Sequence, residues 1–467
     1  MGKHTIEKIG GTSMSRFGEV MNNVIVGTRK GADLYNRVFV VSAYSGITNF
    51  LLEDKKTGEP GVYGHIAQDS KHWDRALEKV REKMLEYNRS FESIGLNVAD
   101  ADHFINSRLD GIKECLKYIV YLRAAGHSKP SEYLPSTREF LAAVGEAHSA
   151  YNSAQILKAN GINARFVDLS GWMSTDIQTL NQAILTAFDG IDFEKELPIV
   201  TGYVKYDEGI MKRFDRGYSE ITFSKIAVLT DAAEGIIHKE FHLSTGDPKL
   251  IGVDKVQIIG NTNFDIADQL SDMDMEAIHS KAAKEMEHKN IPIRIKNAFD
   301  PEHPGTLISR DYVSPVPRVE MICGRGDLIA IEVHDPEMVG CIGYDHKLTE
   351  YLTRYGINYI AKNTNANTIT HYIGQKSKNI EACMNDMRRA FPNANITATQ
   401  VAVVSVIGSN MKIPGFLAKA AKALWDADIN VLALDQVMRQ VNIQFIVSRD
   451  DFKKAQVVLH KEFVEKA

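Results

Sequence analysis

The chain predicts a three-layer α/β domain with a mainly parallel central sheet, followed by two small α+β units. Three observations carry this. Short apolar runs ending in small-residue turns alternate with helical stretches over residues 1–314. The segment Pro315-Val316-Pro317 then reads as a linker. Beyond it a β-α-β-β-α order occurs twice at an offset of roughly seventy residues, too few copies for a solenoid. The expected domains are residues 1–314, 318–396 and 397–467.

The first strand, Thr5 to Ile9, runs into Gly10-Gly11-Thr12-Ser13, and the second, Val38 to Val41, into Ser42-Ala43-Tyr44-Ser45-Gly46. Continuous apolar strands followed by small-residue turns suit a parallel sheet covered on both faces. From Asp69 to Arg123 the pattern is helical, with Leu77, Val80, Met84, Tyr87 and Phe91 on one face. A helix over Gly145 to Ala159 leads to strand Ala164 to Val167, and a further strand spans Pro198 to Thr201. Ile226 to Leu229 reads as a strand ending in Thr230-Asp231, and Ile291 to Ile295 as another. In the first repeat, strands are expected at Leu328 to Val333, Ile357 to Ile360 and Thr368 to Ile373. In the second they fall at Val401 to Ile407, Ile429 to Leu434 and Val441 to Val447.

Composition narrows the function. A net charge of −5 over 467 residues offers no bulk positive field for nucleic acid or an anionic membrane. Cys115, Cys323, Cys341 and Cys383 form no CxxC pair, which argues against a zinc cluster or a disulfide scaffold. The N-terminus lacks the apolar core of a signal peptide, and Ile6 stands where a myristoylation motif wants Ser or Thr. No apolar run approaches membrane-spanning length. A cytoplasmic protein is the expectation.

Several residues offer chemistry. In Lys8-Ile9-Gly10-Gly11-Thr12-Ser13 a lysine at a strand end precedes two glycines, so an ammonium and backbone N–H groups can meet phosphate oxygens. No GxxxxGK[ST] occurs, so this is not a Walker loop. Ser42 to Thr48 follows the same logic, and two such turns in one parallel sheet share its ligand-binding edge. Taken singly, each reads equally as a plain turn. Arg216 in a glycine-containing turn suits bidentate capture of a carboxylate, or is a solvated surface arginine. Glu146 on its own is a helix-start acid. His238 and His242 are four apart, a helical metal spacing with no third ligand in evidence, so no metal site is assigned.

Their order is more telling than any one of them. Lys-x-Gly-Gly-Thr-Ser, Val-Ser-Ala-x-x-Gly-x-Thr, Gly-Glu-x-x-Ser, Arg-Gly-x-Ser-Glu, Thr-Asp and Gly-Asp-Pro-Lys, closed by Lys296-Asn297-Ala298-Phe299-Asp300-Pro301, resemble the amino acid kinase superfamily. Within it the match is to aspartokinases and covers nearly the whole chain. Ile407-Gly408-Ser409-Asn410-Met411 with Pro414-Gly415 looks like their ACT repeat. The opening Glu7 to Met14 is similar to a subgroup associated with ectoine biosynthesis.

The resemblance implies ATP and Mg²⁺ as cofactors and L-aspartate as substrate. It places Lys8 at the transferring phosphoryl group with Gly10 and Gly11 as backbone donors. Ser42, Thr48, Glu146 and Arg216 would hold aspartate, Arg216 on its α-carboxylate and Glu146 towards its α-ammonium. Thr230, Asp231, Asp247, Lys249 and Lys296 would line the nucleotide. It also implies a homodimer through ACT units, whose first unit the chain end often completes, and a lysine or threonine effector. Two departures bear on the nucleotide site. Tyr218 and Glu220 stand where most relatives have Gly and Asp, and Ala232 to Thr245 is longer than usual. Another amino acid kinase or a non-catalytic amino-acid-binding regulator are the competing readings.

Overall fold

The computed structural model describes residues 2–126, 129–273, 275 and 278–466. The chain forms two compact units, Met1–His242 with Ile278–Arg310, and Leu243–Ala277 with Asp311–Ala467. It therefore leaves the first unit at Leu243, well before the proline-marked break, and returns at Ile278. Composition marks a linker, whereas a unit is defined by contacts between residues far apart in sequence.

In the first unit the strands are β1 (Thr5–Ile9), β2 (Arg37–Val41), β3 (Ala164–Val167), β4 (Leu197–Thr201) and β5 (Glu234–Lys239). The short β6 (Asn261–Asn263) lies in the second unit, and β7 (Ile293–Asn297) and β8 (Thr306–Ser309) complete the first. The first unit's strands follow the order β3-β4-β2-β1-β5-β7-β8. All neighbours are parallel except β7 and β8. β2 and β4 are buried at every position, as strands covered on both faces must be. Register aligns Ile9 with Val41 and with His238, and Val41 with Thr201. The turns after β1, β2, β4 and β5 consequently share one edge of the sheet.

Two expectations need correction here. Ile226 to Leu229 is the last turn of a helix, Tyr218–Leu229, and the strand is Glu234–Lys239. A four-residue apolar run has the same composition in a buried helix as in a buried strand. Glu146 does not begin a helix. It sits in the middle of Pro130–Ala159, a 30-residue helix buried continuously from Leu141 to Ala150.

In the second unit the repeats pair through their first strands, β9 (Arg318–His334) and β12 (Asn395–Ser409), which run antiparallel. With β10 (Tyr359–Thr364), β11 (Thr368–Gly374), β13 (Val431–Asp435) and β14 (Asn442–Ser448) they form a sheet ordered β10-β11-β9-β12-β14-β13. Each repeat has its own core. Leu348, Leu352, Ile373 and Met384 pack in the first, and Val404, Leu424, Phe445 and Leu459 in the second. β9 and β12 run well past the apolar cores that predicted them, because each continues the hydrogen-bonded ladder of the other beyond the reach of β11 and β14.

Candidate active site

The turn after β1 starts the site. The Ser42 N–H donates to Ile9 O (3.1 Å) and the Gly202 N–H to Val41 O (3.1 Å), binding three successive strand ends together. A Cβ on Gly11 would lie 2.6 Å from Ala43 O, so only glycine lets the first turn lie against the second. A Cβ on Gly202 would meet the Ser219 Cβ at 2.6 Å and Glu146 Oε2 at 2.9 Å.

Lys8 points towards helix Tyr218–Leu229, where its Nζ donates to Glu220 Oε1 at 3.3 Å. The other oxygen of Glu220 accepts the His279 N–H at 2.5 Å. Burial would raise the Glu220 carboxyl, but the charges of Lys8 and Lys239 and these hydrogen bonds hold it below the ordinary value. Glu220 thus does the work of an acid that fixes a lysine.

Glu146 is different. It is buried, its Oε2 has no hydrogen-bond partner among the described residues, and desolvation pushes its carboxyl up to about 8 against the pull of Lys8. Tyr218 is buried near it, and burial raises that phenol well above its usual value. Ser42 Oγ lies 3.3 Å from Ser219 Oγ, and Ser42 O accepts from Ser149 Oγ at 2.9 Å.

Arg216 is the best-anchored of the sequence-derived residues. Its Nη1 donates to Asn49 Oδ1 at 2.7 Å, and its Nη2 to Glu53 Oε1 at 3.1 Å and to Glu53 O. Arg138 holds the same carboxylate with two bonds of 2.8 Å. Thr48 precedes Asn49 in the short helix Ile47–Leu51, so it shares this corner. Lys8, Gly10, Gly11, Ser42, Thr48, Glu146 and Arg216 therefore gather on one edge of the sheet.

Among the nucleotide-side residues of the first unit, Thr230, Asp231 and Lys296 do not join them. Thr230 and Asp231 lie at the opposite edge: His4 Nε2 is 2.8 Å from Thr230 Oγ1, and the Gly2 N–H donates to Asp231 O at 2.6 Å. The misread strand displaced them, since β5 starts after Asp231 and ends at Lys239. Lys296 is on the other face. Neighbours in a strand face opposite ways, and Glu7, next to Lys8, shares with His238, Arg29 and Lys296 a cavity of about 480 Å³. There Lys296 Nζ donates to Pro301 O at 3.1 Å, and burial lowers its pKa. Asp247 and Lys249 fall in the second unit, where Asp247 Oδ1 caps a helix turn by accepting the Lys249 N–H at 2.9 Å. His238 and His242 are not on a helix, and each is committed to its own carboxylate, Glu7 at 2.6 Å and Asp300 at 2.8 Å.

Asn49, Glu53, Arg138, Lys239 and Glu240 were not foreseen. Glu240 Oε1 accepts from both the N–H and the Oγ of Ser13, at 3.0 and 2.9 Å. The run Gly235-Ile236-Ile237-His238 before Lys239-Glu240 was the available signal, a strand ending in charged residues.

A parallel sheet presenting a lysine above a glycine turn, with a buried acid and an arginine beside it, is an arrangement suited to an anionic, zwitterionic ligand pair. Residues 3–297 match the amino acid kinase family, and residues 404–463 match the ACT domain. The chain is 50% identical over 464 residues to aspartate kinase Ask_Ect of Stutzerimonas stutzeri, covering 99% of this chain and 98% of the relative. It is 23% identical to the chloroplastic aspartokinase 1 of Arabidopsis thaliana, over 98% of this chain and 80% of that one. The fold is that of E. coli aspartokinase III, solved with aspartate and ADP, at a TM-score of 0.74 and 17% identity over 98% of this chain and 99% of that one. The chain belongs to the amino acid kinase family and, within it, to the aspartate kinases.

Proposed function

We propose that this chain transfers the γ-phosphoryl group of ATP to the side-chain carboxylate of L-aspartate, forming 4-phospho-L-aspartate. The observation that carries this reading is the shared edge on which Lys8, fixed by Glu220, acts on the carboxyl of Glu146, one oxygen of which has no hydrogen-bond partner among the described residues. The nucleophile has a reference pKa of about 3.9, so it is ionised at neutral pH and needs no general base. Alignment and relief of charge repulsion remain to be supplied. Lys8 neutralises the phosphoryl group, while Gly10 and Gly11 let backbone N–H groups approach it. Arg216 takes the α-carboxylate in place of Glu53, and Glu146 ionises to take the α-ammonium.

Mg²⁺, carried on the nucleotide's phosphates, would neutralise the polyphosphate, with Glu240 as a carboxylate beside the glycine turn to meet it. The donor set fits an ion brought by the nucleotide: no group of three or more His, Cys, Asp or Glu side chains poised for a metal occurs among the described residues. A coupled assay of ADP release tests the reading. Turnover with aspartate and none with glutamate is the expected result, and release with neither would overturn it.

The second unit is regulatory and dimerising in this reading. A cavity of about 370 Å³ is lined by Arg318, Pro414, Gly415, Phe416, Lys419 and Phe463, with two cations for the carboxylate of a lysine or threonine effector. E. coli aspartokinase III has been solved with lysine and aspartate. The likeness to Ask_Ect fits the ectoine-associated subgroup, so the product would enter either that route or the lysine and threonine routes.

A further inference from the structure

The end of β5 touches the glycine turn of β1 on both sides of one residue. A Cβ on Gly10 would lie 3.9 Å from His238 O and 3.8 Å from Glu240 Oε1. Glu240 also fastens Ser13 through its N–H and Oγ. The residue between them is Lys239, whose backbone O accepts the Ala298 N–H at 2.8 Å.

Register settles which way Lys239 faces. In parallel pairing Lys8 is level with Ile237, and paired residues point to the same side of a sheet. Lys239 is two residues further on, so it returns to the face that Lys8 occupies. That face carries helix Tyr218–Leu229 with Glu220, on which the charge of Lys239 acts together with that of Lys8. Glu220 is thus bonded to Lys8 and also within the field of Lys239, a second lysine on the same face beside the same turn.

We propose that Lys239 is a second phosphate-contacting cation, so that the polyphosphate of the nucleotide lies between Lys8 and Lys239 with Glu220 spacing the two. This rests on the phosphoryl-transfer reading above. The segment Ala232 to Thr245 contains the end of β5, and its charged pair Lys239-Glu240 stands at the edge that Thr230 and Asp231 do not reach. A carboxylate on which two lysine charges act is a counter-ion that an anion of higher charge can displace.

The test compares Lys239→Gln and Lys239→Arg with Lys8→Ala in the full chain, by steady-state kinetics and by calorimetry with ADP plus Mg²⁺ and with AMP. Lys239→Gln should lower kcat/KM for ATP at least about tenfold and weaken ADP by a similar factor, with Lys239→Arg recovering most of it. AMP affinity should change less than twofold, because an AMP phosphate does not reach the β and γ positions. Equal weakening of ADP and AMP would mean a structural role and overturn the proposal. So would normal kinetics in Lys239→Gln alongside an inactive Lys8→Ala. Full activity in both variants would instead overturn the underlying phosphoryl-transfer reading. Should Lys239→Gln fail to fold, Lys239→Met is measured in the same way: a loss of ADP affinity at least about fivefold greater than that of AMP supports the proposal, and equal losses or none overturn it.

Discussion

Two buried carboxylates of the first unit, Glu7 and Glu146, are 2% and 3% exposed, yet their environments drive them in opposite directions. Burial alone would raise both. For Glu7 it is overcome by the guanidinium of Arg37, in two bonds of 2.6 and 3.1 Å, and by His238 at 2.6 Å, so its carboxyl lies well below the ordinary range. For Glu146 burial prevails, one oxygen has no partner among the described residues, and the carboxyl rises to about 8. A carboxylate that serves the fold is paired within the fold. One that serves a ligand is left to be paired by the ligand, at some cost in stability.

The strongest way to break this contrast is Glu7→Gln. It strands a buried Arg37 whose remaining partners are the carbonyls of Val24 and Ile25, and it should cost about 3–5 kcal/mol in urea unfolding. Turnover at a permissive temperature should stay within a few-fold. The sign of the pH effect follows from a folded pKa below the unfolded one. The contribution of Glu7 is present above the unfolded value and is lost as pH falls, so the gap between wild type and variant should close in acid.

Next comes Lys8→Ala, which should lower kcat by about a hundredfold or more with little change in KM for aspartate. Near-normal turnover in a folded variant would remove Lys8 from the mechanism and leave the Glu220 ion pair purely structural.

Glu146→Gln sharpens the comparison, because its two effects have opposite sign. KM for aspartate should rise about tenfold, since an ammonium loses a charged partner. Stability should improve: a carboxyl with a raised folded pKa destabilises progressively as pH climbs from the unfolded value, near 4.5, to about 8. Melting temperatures of variant and wild type should therefore coincide near pH 4.5 and diverge by pH 8, with the variant higher. Coincidence at every pH would mean Glu146 is not perturbed as described. In the wild type, KM for aspartate should fall as pH rises from 6 to 8.

Arg216→Lys should have a smaller effect, about fivefold on KM for aspartate and none on ATP, because the charge stays and the planar fork is lost. The smallest belongs to the second unit. Gly415 has φ +104, a conformation that L residues rarely adopt, and its open surroundings leave room for a side chain. Gly415→Asp should change any response to lysine or threonine while basal turnover stays within twofold. Calorimetry with each amino acid checks this, and no binding at millimolar levels would leave the unit as a dimeriser alone.

How much could be read in advance divides along a physical line. Lys8, Gly10, Gly11, Ser42, Thr48, Glu146 and Arg216 sit beside recognisable local patterns, and the structure brings all seven to one edge. Thr230 and Asp231 lie apart from these seven because the run Ile226 to Leu229, which suits a buried helix and a buried strand equally, is helical. The nearest competing strand, Glu234–Lys239, carries charges at both ends and three partly exposed positions, which blurred its pattern. Asn49, Glu53 and Arg138 had no signal at all, since a polar residue that matters only through its partner looks like any surface residue until the chain brings the partner near.

The sequence by itself determined the alternation of strands and helices, the two repeats, and the lysine, glycines, acid and arginine of the candidate site, because periodicity and turn chemistry are local properties. Only the tertiary structure decided which acids are paired, that Thr230 and Asp231 lie at the edge opposite Lys8, that Lys296 is on the other face, and that the charges of Lys8 and Lys239 both act on Glu220. Those outcomes depend on strand register and on burial, which are set by contacts between residues as far apart as Lys8 and Glu220, and no local pattern records them.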